Sequence, residues 1–161
     1  MKKLFIGLSL MLLSSFSCAQ EKADFALVEK SKNLLTLFKN QKVIGTYHVV
    51  FGGNSVGHKE QEGDNKTPEG RYILDSKNVN SAYYKSIHIS YPNAKDRANA
   101  KAKGVSPGGA IMIHGQKNGF GWAAAATQKR NWTLGCIALT NEDMEIIWKS
   151  VSVPIPIEIK P

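Results

Sequence analysis

Residues 131–139 read Asn131-Trp132-Thr133-Leu134-Gly135-Cys136-Ile137-Ala138-Leu139. A polar stretch turns apolar across one glycine and one thiol. Upstream, Ile111-Met112-Ile113-His114-Gly115 is an apolar run that ends on a histidine. The only other cysteine, Cys18, lies near the N-terminus. A single thiol with a histidine elsewhere in the chain is a candidate nucleophile and base.

The first nineteen residues have the build of an export signal. Lys2 and Lys3 give a positive start, Leu4 to Phe16 is apolar but too short to cross a bilayer, and Ser17-Cys18-Ala19 supplies small residues before Gln20. Cleavage after Ala19 fits a small-x-small site. Cleavage before Cys18 would instead leave a lipid anchor on that cysteine. We take residues 1–19 as a signal peptide and 20–161 as one domain, exported to the periplasm or cell envelope. Without Lys2 and Lys3, 19 Lys+Arg face 13 Asp+Glu, a net +6. No basic run carries interleaved aromatics, so nucleic acid is not an expected partner. One thiol in an exported domain cannot close an internal disulfide.

Asp24 to Phe51 is broken only at Ser31-Lys32-Asn33 and Lys39-Asn40-Gln41, which predicts three short strands. Gly52 to Gly63 reads as a loop and Thr67-Pro68-Glu69-Gly70 as a turn. Strands are expected at Arg71–Leu74, Ser86–Tyr91 and Ala110–His114, with helices at Ala94–Lys103 and Trp122–Ala126. Met144, Ile147, Trp148 and Val151 share one helical face, with Thr140 or Asn141 as the cap. Ile155 to Ile159 alternates after Pro154 like an edge strand. The expected fold is mostly β, with two or three short helices.

Thiolate chemistry at Cys136 needs an imidazolium or a ring of backbone N–H groups nearby. His114, at a strand end, can point its ring into a cleft, and amides around Leu134, Gly135 and Cys136 can face an oxyanion. The plainer readings are a small apolar core cysteine and a structural histidine. Of the other histidines, His48 reads as structural, His58 as a solvated loop residue, and His88 as a candidate at the edge of the site. Lys95, Arg97, Lys101 and Lys103 read as a solvated basic helix face. No histidine or cysteine spacing suits a metal, so neither metal nor cofactor is expected.

These residues resemble the YkuD-type L,D-transpeptidases, near the YafK/ErfK-like group, exported cysteine enzymes that act on peptidoglycan. The resemblance rests on His114-Gly115 and Thr133-Leu134-Gly135-Cys136. It is joined by Gly57-His58-Lys59, Gly63-Asp64, Thr67-Pro68-Glu69-Gly70, Ser90-Tyr91-Pro92-Asn93 and Pro107-Gly108-Gly109. It implies a β-sandwich-like catalytic domain. Cys136 would be the nucleophile and His114 the base, with the Gly115 carbonyl orienting the imidazole. Thr133, Leu134 and Gly135 would shape the nucleophile loop and oxyanion site, and His88, Tyr91 and Trp132 would meet the substrate. Leu134 stands where the commoner motif has histidine, and Ala138 where it has a polar residue. The implied reaction is acyl transfer from peptidoglycan stem peptides to an amine on another stem or on a wall-attached lipoprotein. A murein hydrolase, or a non-catalytic peptidoglycan-binding module, is the alternative.

Overall fold

The computed structural model describes residues 20–161; the signal segment and Cys18 lie outside them. Eight strands form one sheet in the order β3-β2-β1-β8-β4-β5-β6-β7. The first three, β1 (Phe25–Glu29), β2 (Leu34–Lys39) and β3 (Lys42–His48), form an antiparallel meander. Asn33 makes the first turn at φ 54°, and Asn40 and Gln41 make the second at 49° and 64°. Two residues at positive φ are what a tight hairpin needs, because that turn's twist matches the strands. This is the three-strand pattern the sequence predicts.

β4 (Gly70–Asn78) runs four residues past its expected end, and β5 covers Ser86–Ile89. Helix α1 (Ala94–Ala102) begins where Asn93 accepts N–H bonds from Lys95 and Asp96, while Asp96 accepts from the Asn93 N–H. This reciprocal box satisfies donors that a bare helix end leaves open. Lys95, Arg97, Lys101 and Lys103 are exposed on it, as expected. β6 (Met112–His114) is short. A 3₁₀ turn (Gly121–Ala123) leads into the single turn α2 (Ala124–Thr127), then β7 (Ile137–Ala138) and α3 (Asn141–Ser150). The Thr140 side chain caps α3 at the Asp143 N–H, and Met144 and Ile147 are fully buried from it.

β8 (Ile155–Lys160) corrects the expectation of an edge strand. It lies in the middle of the sheet, parallel to β1 and antiparallel to β4. Pro156 is tolerated there because no neighbour needs its missing N–H. The ladder to β1 starts only at Ile157. Ile73, opposite Pro156, turns its own N–H and carbonyl to Ser90 on the far side. Ile155, Ile157 and Ile159 point into the core with Leu35, Leu74, Ile87 and Ile113.

Beyond β3 the chain crosses to the other end of the sheet. Val50 bridges Ala138 and Gly52 bridges Thr133, so the sheet curls and its far strands meet. The result is a mostly β domain with three helices and a sandwich-like core. No helix of the described residues is long and apolar enough to cross a membrane.

Candidate active site

The curl leaves a cavity of about 720 Å³ between the loops at one end. Cys136, His114, Trp132, Thr133 and Leu134 line it, as do Lys59, Glu62 and Tyr83. Cys136 and His114 reach the same space because β6 and β7 are parallel neighbours, with His114 level with Ala138.

The imidazole is fixed. His114 Nδ1 lies 2.7 Å from the Gly115 carbonyl. A carbonyl can only accept, so Nδ1 carries the proton and Nε2 keeps the lone pair of a base. Tyr83 packs 4.8 Å from the imidazole, centroid to centroid, and Trp132 meets it edge-on at 6.0 Å. The two large rings stack on each other at 6.2 Å. Gly115 has no room for a side chain: a Cβ would lie 2.6 Å from Asn141 Oδ1.

The loop that leads into Cys136 is shaped by Thr133. Its hydroxyl donates to the Cys136 carbonyl at 2.7 Å and accepts the Gly135 N–H at 3.1 Å. Gly135 sits at φ 133°, where a Cβ would lie 2.7 Å from the Lys66 carbonyl. A side chain here is excluded both by the backbone conformation and by the close pass. The Gly135 N–H is thereby committed to the Thr133 hydroxyl.

The sequence suggests a thiolate held by an imidazolium; burial works against that state. It pushes the Cys136 thiol above its ordinary value, and the Met112 N–H and the Lys59 charge pull it only partly back. It pushes the His114 imidazole below its ordinary value, partly offset by the Gly115 carbonyl. Desolvation penalises either charge, so at neutral pH the resting pair is thiol and neutral imidazole. The thiol donates to the Ala110 carbonyl at 3.6 Å.

Two residues expected at the substrate are not among those lining the cavity. His88 is spent on β4, with Nδ1 2.7 Å from Asp75 Oδ1. Tyr91 is buried, and its hydroxyl donates to the Pro107 carbonyl at 3.0 Å. It thereby supports the turn whose Gly108 and Gly109 form part of the cavity wall. His58 is not a solvated loop residue either. Its Nδ1 accepts the Glu69 N–H at 3.0 Å and its Nε2 lies 3.2 Å from Asp96. His48, expected to be structural, leaves its ring exposed, 3.4 Å from Gln128 Oε1.

Tyr83, Lys59 and Glu62 escaped the sequence reading as site residues. Nothing local marks Tyr83, which has no periodicity around it. Lys59 lay in a quoted motif but looked like a loop charge. It is buried, with Nζ 2.8 Å from Asp64 Oδ1. Burial alone would raise the Asp64 carboxyl, yet Lys59 and the N–H groups of Lys66, Glu60 and Gln61 hold it at about 2.

One cysteine and one oriented histidine thus line the same cavity of a curled, mostly β domain. Residues 23–159 match the model of the YkuD L,D-transpeptidase catalytic domain, and the chain belongs to that family. YafK of Escherichia coli (strain K12), an L,D-transpeptidase by name, is 30% identical over 113 residues, covering 69% of this chain and 38% of YafK. The helical cell shape determining protein Pgp2 of Campylobacter jejuni superposes with a TM-score of 0.66 at 26% identity, over 88% of this chain and 49% of Pgp2. L,D-transpeptidase 3 of Mycobacterium tuberculosis shares the fold, with a TM-score of 0.58 at 16% identity, over 86% of this chain and 61% of that one. The chain thus spans about half or less of the length of YafK and Pgp2.

Proposed function

We propose that this chain is an exported cysteine acyltransferase that acts on peptidoglycan stem peptides. The observation that supports this best is a single thiol lining one cavity with a histidine whose Nδ1 is locked on Gly115. In this reading His114 Nε2 takes the Cys136 proton as Sγ attacks the carbonyl of the third stem residue. The Leu134 and Cys136 N–H groups face the oxyanion. His114 then returns the proton to the departing D-alanine nitrogen, the C–N bond breaks, and a thioester remains. An amine from another stem, or from a lysine of a wall-attached lipoprotein, attacks that thioester, with His114 again as base. The acyl group passes to the amine and the thiol is restored. The chemistry requires neither metal nor cofactor. Residues 1–19 would deliver the protein to the periplasm or cell envelope, with a lipid on Cys18 as the other outcome of processing.

Water at the same thioester would make the protein a murein hydrolase. Incubation with tetrapeptide-rich wall separates the two. New dimers mean transfer; tripeptides alone mean hydrolysis. Mass spectrometry of the native protein with a carbapenem tests both together. If no adduct forms on Cys136, the cysteine mechanism is wrong.

A further inference from the structure

Two charged side chains line the catalytic cavity, Lys59 and Glu62, and they are in different electrostatic states. Lys59 is neutralised: its ammonium is paired with Asp64 and also donates to the Gln61 carbonyl at 3.0 Å. Glu62 makes no ion pair among the described residues. Its one side-chain partner is neutral, the Ser106 hydroxyl, which donates to Oε2 at 3.0 Å. The backbone beneath it is held as well. The Glu62 N–H donates to the Ser106 carbonyl at 2.8 Å. Gly108 packs so closely that a Cβ there would lie 3.3 Å from Glu62 Cα. The chain has 21 Lys+Arg and 13 Asp+Glu, so cations to pair with Glu62 are plentiful. Glu62 is exposed at the cavity rim, and its carboxylate, held by the Ser106 hydroxyl, has no cationic partner among the described residues.

From this we propose that Glu62 is an ammonium-binding subsite of the catalytic cavity. The inference rests on the acyl-transfer reading for its choice of ligand. In that reaction a primary ammonium arrives from two sources, the side chain of a diamino acid on the donor stem and the acceptor amine. A carboxylate oxygen can accept one of the three N–H groups of either. A Glu62→Gln variant keeps an oxygen for Ser106 and removes only the charge.

The donor is tested by calorimetry in a Cys136→Ala background, where no turnover intervenes. The probe is a tetrapeptide ending in D-alanine whose third residue is diaminopimelic acid, its side-chain amine free or acetylated. Glu62→Gln should weaken the free-amine peptide about tenfold, leave the acetylated one within about twofold, and narrow the difference at high salt. The acceptor is tested with Cys136 intact, as the ratio of dimer to tripeptide formed from tetrapeptide-rich wall. If the acceptor amine is the ligand, that ratio falls about tenfold in Glu62→Gln. A Glu62-dependent change in either arm supports the subsite and identifies the source. No change in either arm overturns it, whatever the catalytic result. If no thioester forms on Cys136 but the calorimetric difference appears, the acyl-transfer reading fails and the ammonium subsite stands.

Discussion

Burial of a thiol and an imidazole in one cavity favours two neutral groups over an ion pair, and this sets the pH behaviour of the site. Cys136 is pushed up from 9.0 and His114 down from 6.5. Simple alkylation of Cys136 by iodoacetamide, which needs preformed thiolate, should therefore rise with pH through a midpoint above 9.0. A midpoint near neutrality would mean a resting ion pair. Turnover, in which the imidazole takes the proton during attack, needs only neutral His114. Because its value is depressed, the neutral form persists further into acid, and the acid limb of turnover should have its midpoint below 6.5. His114→Ala should slow turnover by about two to four orders of magnitude, the usual worth of a positioned base. Cys136→Ala should abolish thioester formation while the melting temperature moves by less than about 3 °C, since a weak bond to one carbonyl is all that is lost. Large destabilisation with activity kept would make the thiol a packing residue.

The nucleophile loop is an element whose sequence is explicit once its geometry is known. Thr133 holds both the Cys136 carbonyl and the Gly135 N–H, so Thr133→Val removes two hydrogen bonds while keeping the volume. We expect a loss of about 1–3 kcal/mol in stability, read by urea denaturation, together with reduced turnover. If neither changes, the loop is held by something other than this hydroxyl. Helix α3 with its cap, the two hairpin turns and the span of α1 were all legible, because each depends on neighbours within four residues; the Asn93 cap of α1 was not read. Tyr83 was not, because its meaning is a ring 4.8 Å from a histidine thirty-one positions away. His58 was misread for the same reason: a polar loop looks solvated until Asp96 of α1 is folded against it.

For the whole molecule, the deciding strand is the last one. β8 pairs with β1 on one side and β4 on the other, so removing residues 155–160 should leave a chain without the native near-ultraviolet signal. A truncated protein that still melts cooperatively would overturn that. Stability should also depend on His114. Its folded value is depressed, so the unfolded chain binds the proton more readily. The histidine's contribution is complete above 6.5 and is lost as pH falls through the folded value. A His114→Gln variant should flatten that part of the stability profile. By itself the sequence determined the strand-rich class, most turns, the cap of α3, the family resemblance, and the pair Cys136 and His114, since these are written in local propensity or in short motifs. Only the tertiary structure decided that β8 is central, that His88 and Tyr91 lie off the cavity, that the resting pair is neutral, and that Glu62 has no ion-pair partner among the described residues. Each of those depends on desolvation, or on partners brought together by the curl of the sheet, and neither is a property of any one stretch of chain.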